Sequence, residues 1–144
     1  MPLRRLALAA APALLLAAPA AAAPLPLPPG PEAGDHLTVT VTDGGRLDGR
    51  HELYCHPARG TVRDPKGACA QLDEQTRWDR DLFAPVPPGS NCTMLYGGPE
   101  RAHVSGTWAG RPVDTVFSRA NGCEIARWNK FSRLLGDPAR PSGK

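Results

Sequence analysis

Four cysteines, Cys55, Cys69, Cys92 and Cys123, restrict most tightly what this chain of 144 residues can fold into. They follow an exported-type start. Arg4 and Arg5 precede an apolar stretch from Leu6 to Ala18, and Ala18-Pro19-Ala20 and Ala20-Ala21-Ala22 both fit a small-residue cleavage site. That stretch, roughly 13 residues and broken by prolines, is too short to span about 30 Å of hydrocarbon. Residues 1–23 are therefore expected to be a signal peptide, and the mature protein to be secreted, with no membrane association once the signal is removed. In a short exported chain an even number of cysteines reads as two disulfides. Zinc would need close ligand pairs of the C-x-x-C type, and the sequence has none. Three pairings are open. The sequential one, Cys55–Cys69 and Cys92–Cys123, closes the shorter loops, and each bridge would contribute about 3–4 kcal/mol in the chain-entropy picture. In a single small domain that is a large share of the total stability.

Net charge is +3 and is shared with the leader, so nothing argues for nucleic acid or anionic lipid as a partner. His36, His51, His56 and His103 are scattered, and no G-x-S-x-G or H-E-x-x-H spacing occurs. His51 and His56, five apart, share no metal-binding face. The expectation is a protein that is not an enzyme, with no catalytic residue, no metal and no cofactor.

Residues 24–35, dense in proline, predict an extended, flexible N-terminal arm. Leu37-Thr38-Val39-Thr40-Val41-Thr42 alternates apolar and hydroxyl side chains with β-branched residues, the clearest strand in the chain. Asp43-Gly44-Gly45 should turn it, with Arg46 to Cys55 returning. A helix is predicted from Pro65, with Ala68, Gln71, Leu72, Gln75 and Trp78 at helical spacing. Residues 102–108 and 113–117 read as a second strand pair around Ala109-Gly110-Arg111-Pro112. Cys123 to Leu135 reads as one short helix presenting Ile125, Trp128, Phe131, Leu134 and Leu135. Trp78, Trp108 and Trp128 are expected in the core. The tail, 136–144, should fray. Two hairpins with helices between them give an α+β domain over 36–135, one antiparallel sheet covered by two short helices.

Between the prolines at 85, 87 and 88 and Gly97-Gly98-Pro99 lies Asn91-Cys92-Thr93-Met94-Leu95-Tyr96. Prolines before it and a disulfide at Cys92 would make it rigid. A rigid, exposed segment offering Met94 and Leu95 builds no core, but it presents a peptide well. Proteases hold substrate as an added strand, and a pre-extended peptide avoids the ordering cost that a flexible one must meet. Met94, unbranched and uncharged, suits an apolar primary pocket of subtilisin-like or chymotrypsin-like enzymes.

Three segments carry a resemblance to the Streptomyces subtilisin inhibitor family. They are Leu53-Tyr54-Cys55 with Gly67-Ala68-Cys69-Ala70-Gln71-Leu72; Cys92-Thr93-Met94-Leu95-Tyr96; and Val104-Ser105-Gly106-Thr107-Trp108-Ala109-Gly110 with Val116-Phe117-Ser118 and Asn121-Gly122-Cys123-Glu124. The resemblance implies a five-stranded antiparallel sheet with two short helices, sequential disulfides, a homodimer formed through the sheet, and inhibition of extracellular subtilisin-like serine proteases. It matches Met94–Leu95 to the reactive bond and Cys92, Thr93, Tyr96 and Gly97 to protease contacts. Thr93 stands where a proline is common in the family, and Gly97-Gly98-Pro99 predicts a longer and looser exit from the loop. The alternative is a secreted binding module on the same fold that does not inhibit.

Overall fold

The computed structural model describes residues 21–25 and 34–139. Residues 1–20 of the expected signal peptide, 26–33 of the arm and 140–144 of the tail lie outside the described residues. The alternating segment forms β1 (His36–Thr42), and it becomes the middle strand of five. β2 (Gly49–Tyr54), β3 (Arg59–Gly60), β4 (Arg101–Trp108) and β5 (Arg111–Phe117) complete an antiparallel sheet in the order β3-β2-β1-β4-β5. Leu37 pairs with Leu53 on one side, while Val39 pairs with Val104 and Val41 with Ala102 on the other. Because side chains alternate faces, this register puts Leu37, Val39, Val41, Leu53, Ala102, Val104 and Phe117 on one buried face. The opposite face is polar. On it Glu52 accepts from Thr38 Oγ1 at 2.8 Å and pairs with His36 Nε2 at 2.7 Å.

Helices cover the apolar face. α1 (Pro65–Gln75) starts where Asp64 caps it, accepting from the Gly67 N–H at 2.9 Å with proline in the first turn. α2 (Gly122–Lys130) is capped by Asn121, whose side chain accepts from the Glu124 N–H at 3.0 Å. Phe131 leaves helical geometry, and a further short helix, α3 (Ser132–Leu135), follows. The expected single C-terminal helix is thus two pieces. Both keep their apolar residues on the same core, where Phe131 packs between Phe83 and Phe117 with ring centroids 5.2 and 5.0 Å away.

Three further expectations are corrected. Residues 46–48 are not strand. A short 3-10 turn at Gly45–Leu47 intervenes, and β2 begins at Gly49. Trp78 is neither helical nor core, since its side chain is 89% exposed. Helix α1 ends because the Thr76 hydroxyl donates back to the Leu72 carbonyl at 2.7 Å while accepting from the Trp108 indole N–H at 2.8 Å. That tertiary bond turns the chain out of the helix before Trp78 is reached. Ile125, assigned to the apolar side of the last helix, is only half-buried. Trp108 and Trp128 are buried, Trp128 donating to the Gly136 carbonyl at 2.9 Å.

At the end of the sheet marked by the Cys55–Cys69 bridge, His56 sits between two carboxylates, Nδ1 2.9 Å from Asp35 and Nε2 3.1 Å from Asp73. Asp73 foremost, then Asp35, raises the His56 pKa above its ordinary 6.5, against a smaller opposing effect of burial. A raised folded-state pKa contributes stability that is complete below 6.5 and lost as pH climbs through the raised value. The unfolding midpoint should therefore fall by roughly 1–4 °C over that interval, the size expected for an exposed ion pair in a small domain. His56→Asn, tolerated at this positive φ, should flatten the dependence, and thermal melts at stepped pH measure it.

Candidate functional site

The long connection from α1 to β4, residues 76–100, contains no helix or strand. Its base is fixed by Arg127 of α2, which is buried. Its guanidinium donates to the carbonyls of Phe83 (2.9 Å), Ala84 (3.0 Å) and Val116 (2.8 Å) and to Thr115 Oγ1 (2.7 Å). It also lies 4.0 Å over the Phe117 ring. Burial pulls its pKa below the usual guanidinium value, offset in part by Glu124 and then Asp81. The chain leaves this clamp at Pro85 and runs through the prolines to Asn91.

From there the loop is held against the link between β5 and α2. Cys92 is bonded to Cys123, and Cys55 to Cys69. The Thr93 carbonyl accepts from the Gly122 N–H at 3.0 Å, and the Gly97 N–H donates to the Arg119 carbonyl at 2.8 Å. Between these two anchors Met94, Leu95 and Tyr96 project outward, 95%, 62% and 66% exposed. Thr93 is exposed, and Cys92 and Gly97 are half-buried. The residues singled out in the sequence therefore fall on one continuous stretch, with its apolar side chains pointing to solvent. Its support comes from residues to which the sequence alone assigns no part in the loop, above all Gly122. The adjacency of Gly122 to Cys123 was the available signal, since any partner bonded to Cys123 must lie beside it.

Thr93 braces the loop through its backbone carbonyl, and among the described residues its hydroxyl makes no hydrogen bond. The expectation of a looser exit at Gly97-Gly98-Pro99 changes. Instead a Cβ on Gly97 would lie 2.8 Å from Ile125 Cγ1 and 3.1 Å from Arg119 Cβ, and one on Gly98 (φ +139°) would collide with the Glu100 carboxylate. Missing side chains let the exit pack tightly here, and Gly98 meets a backbone angle that other residues rarely adopt.

Comparison with known proteins gives the family. Residues 33–121 match the subtilisin inhibitor-like family, more than half of the chain. The chain belongs to that family. Subtilisin inhibitor-like protein 8 of Streptomyces virginiae is 42% identical over 76 residues, covering 51% of this chain and 67% of its own. A crystal structure of Streptomyces caespitosus sermetstatin in complex with Bacillus licheniformis subtilisin aligns with 26% identity. That alignment covers 69% of this chain and 94% of the other, at a TM-score of 0.40. The family is one of inhibitor-like domains, so the chain stands outside the enzyme classes. Among the described residues no His, Cys, Asp and Glu cluster could hold a metal ion, and no helix is long and apolar enough to cross a membrane.

Gly122 tests the anchor directly. A methyl at this position would meet the Thr93 side chain and push its carbonyl away from the Gly122 N–H. Gly122→Ala should leave global stability nearly unchanged, since at the first position of α2 alanine gains part of its helix-interior advantage of about 1 kcal/mol against the loss of one exposed-loop hydrogen bond. The residue-122 amide should nevertheless exchange roughly tenfold faster, the loss expected when one hydrogen bond opens locally. Hydrogen exchange by NMR measures both, and an unchanged residue-122 rate would show that the anchor does not depend on this close approach.

Proposed function

We propose that this protein is a secreted inhibitor of subtilisin-like serine proteases and that Met94–Leu95 is its reactive bond. The observation that carries the reading is the exposure of Met94, 95%, on a segment anchored within two residues on one side and three on the other. An apolar side chain of that size in water gives up roughly 1.5–3 kcal/mol of burial. The cost is recovered only if a partner's pocket takes it. Because the loop is already anchored, a protease cleft need not order it on binding, so a substrate-like peptide becomes a tight ligand. Membership in the family and the relative's name support the class of target.

Within the complex Met94 fills the apolar primary pocket, Leu95 and Tyr96 lie across the cleft beyond the bond, Cys92 and Thr93 present main-chain groups to the enzyme's strands, and Gly97 closes the contact at its edge. Chymotrypsin-like enzymes with a comparable pocket are secondary targets. The uncovered sheet face, bearing Thr38, Thr40, His103 and a Val116 that is partly apolar surface, is where two copies would pair in the homodimer that the family resemblance implies.

Titrating subtilisin with the oxidised protein should abolish activity stoichiometrically, leaving the Met94–Leu95 bond largely intact. A module that merely binds, or a loop too loose to inhibit, would instead be cut after Met94 and released, with protease activity undiminished. Met94→Asp should weaken inhibition at least about 100-fold, because a carboxylate must then lose its water in an apolar pocket. Met94→Lys should shift inhibition toward trypsin-like enzymes, whose pocket carries a complementary acid. Unchanged inhibition by the aspartate variant would place the reactive residue elsewhere.

A further inference from the structure

The two sides of the Met94–Leu95 bond are not held alike. On the side of Met94 the support is covalent. Cys92 lies two residues back, bonded to Cys123, and the Gly122 N–H fixes the Thr93 carbonyl. On the side of Leu95 no covalent bond ties the chain to the body before β4 begins at Arg101. What holds it is a polar cluster centred on Arg119. The Arg119 carbonyl accepts from the Gly97 N–H at 2.8 Å, and its Nε–H reaches back to the Gly97 carbonyl at 3.4 Å. Both polar groups of one residue are thus addressed by one partner, which fixes the orientation of the chain there and not only its position.

Glu100 completes the cluster. Its Oε2 lies 3.6 Å from Arg119 Nε, with the two side chains 12% and 14% exposed in the order Arg119, Glu100. That Oε2 is buried and has no hydrogen-bond partner among the described residues. A carboxylate oxygen in that state is costly unless a cation lies beside it. The carboxylate also folds back over Gly98, whose lack of a side chain makes room for it. The cost of burying the acid is offset only while the segment 97–100 stays against Arg119, so the ion pair acts as a latch on that limb.

We propose that Arg119, latched by Glu100, is the positioning residue that keeps Leu95 in place after the reactive bond is opened, so that the bond is resealed rather than lost. The proposal rests on the assignment of Met94–Leu95 made above. When the protease serine attacks the Met94 carbonyl, an ester to the enzyme forms and Leu95 leaves as a free amine, carrying the proton delivered by the enzyme's histidine. Two reactions then compete. Water can attack the ester and release a Met94 carboxylate, or the Leu95 amine can attack it, give up a proton, expel the serine and restore the peptide. An amine held beside the ester acts at a far higher effective concentration than one that drifts off. Arg119 sets that proximity, since Gly97 is two residues beyond Leu95.

The test pairs Arg119→Met with Glu100→Gln in one chain. Methionine keeps the apolar stem, and glutamine leaves no stranded buried charge, so the double variant retains its fold while losing the latch; thermal melting checks this. Incubated with subtilisin, it should associate at the wild-type rate, because Met94 and its disulfide are untouched. Its ratio of intact to cleaved Met94–Leu95 bond at equilibrium should fall about tenfold, the loss of one charge-assisted hydrogen bond, and protease activity should return over time. Arg119→Lys, with Glu100 kept, should recover part of the ratio. A general loss of structure would instead slow association and lower the melting midpoint, an outcome the single Arg119→Lys variant distinguishes by its unchanged melt. If the double variant keeps the wild-type ratio and lasting inhibition, the latch has no such role while the reactive-bond assignment stands. If the wild-type chain itself fails to inhibit, or is cut at a different bond, both readings fall together.

Discussion

The Cys92–Cys123 bridge is the constraint from which the rest of the loop's architecture follows. It joins residues 31 apart in sequence, one in a stretch with no regular structure and the other in the first turn of α2. In the chain-entropy picture such a link contributes about 3–4 kcal/mol by restricting the unfolded chain. Its effect on the folded state is local and directional. By fixing Cys92 to the start of a helix that Arg127 and Trp128 bury against the core, it brings Thr93 against Gly122, where a backbone hydrogen bond forms that a free loop would not hold. The asparagine cap at Asn121 keeps that helix start in place, so the loop takes its rigidity from the helix terminus.

A second device works further back along the chain. Arg127 could have been an apolar residue, since its surroundings include Phe117 and its neighbour Trp128 is fully buried. A leucine there would fill space but leave the carbonyls of Phe83, Ala84 and Val116 without a donor in a dry place. The guanidinium's planar fork reaches all three, together with Thr115, which no other side chain can do from one position. A long connection without secondary structure thereby gains backbone pairing that neither helix nor sheet supplies. The desolvation this imposes on the charge is the counterpart of that gain.

The sequence made the sheet legible where local pattern and burial coincide. Leu37, Val39 and Val41 alternate with threonines because one face meets the core and the other does not, and β4 repeats the logic at Ala102, Val104 and Trp108. The exposed loop was legible for the opposite reason, because Met94, Leu95 and Tyr96 fit neither period between two breaks. What escaped depends on partners far away in the chain. Thr76 ends α1 by bonding to Trp108, and nothing near residue 76 announces that. Apolar spacing continues smoothly through Phe131 although the helix breaks there, since both pieces face one core. Strand β3, Arg59–Gly60, is too short to carry a pattern. Gly97 and Gly98 show freedom in the sequence. Only the positions of Ile125, Arg119 and Glu100 convert that freedom into close packing.

A domain of this size has little stability to spare, yet it leaves three large apolar or aromatic side chains in water on adjacent positions. Folding these residues inward would have removed that apolar surface from water. The anchors on either side prevent it. With Thr93 fixed to Gly122 and Gly97 fixed to Arg119, the three residues between them are held with their side chains in solvent. The same bonds that make the segment rigid therefore keep it exposed. Rigidity and exposure are one constraint here, and relaxing either anchor to gain apolar burial would forfeit the preorganisation that gives an exposed loop its value to a partner.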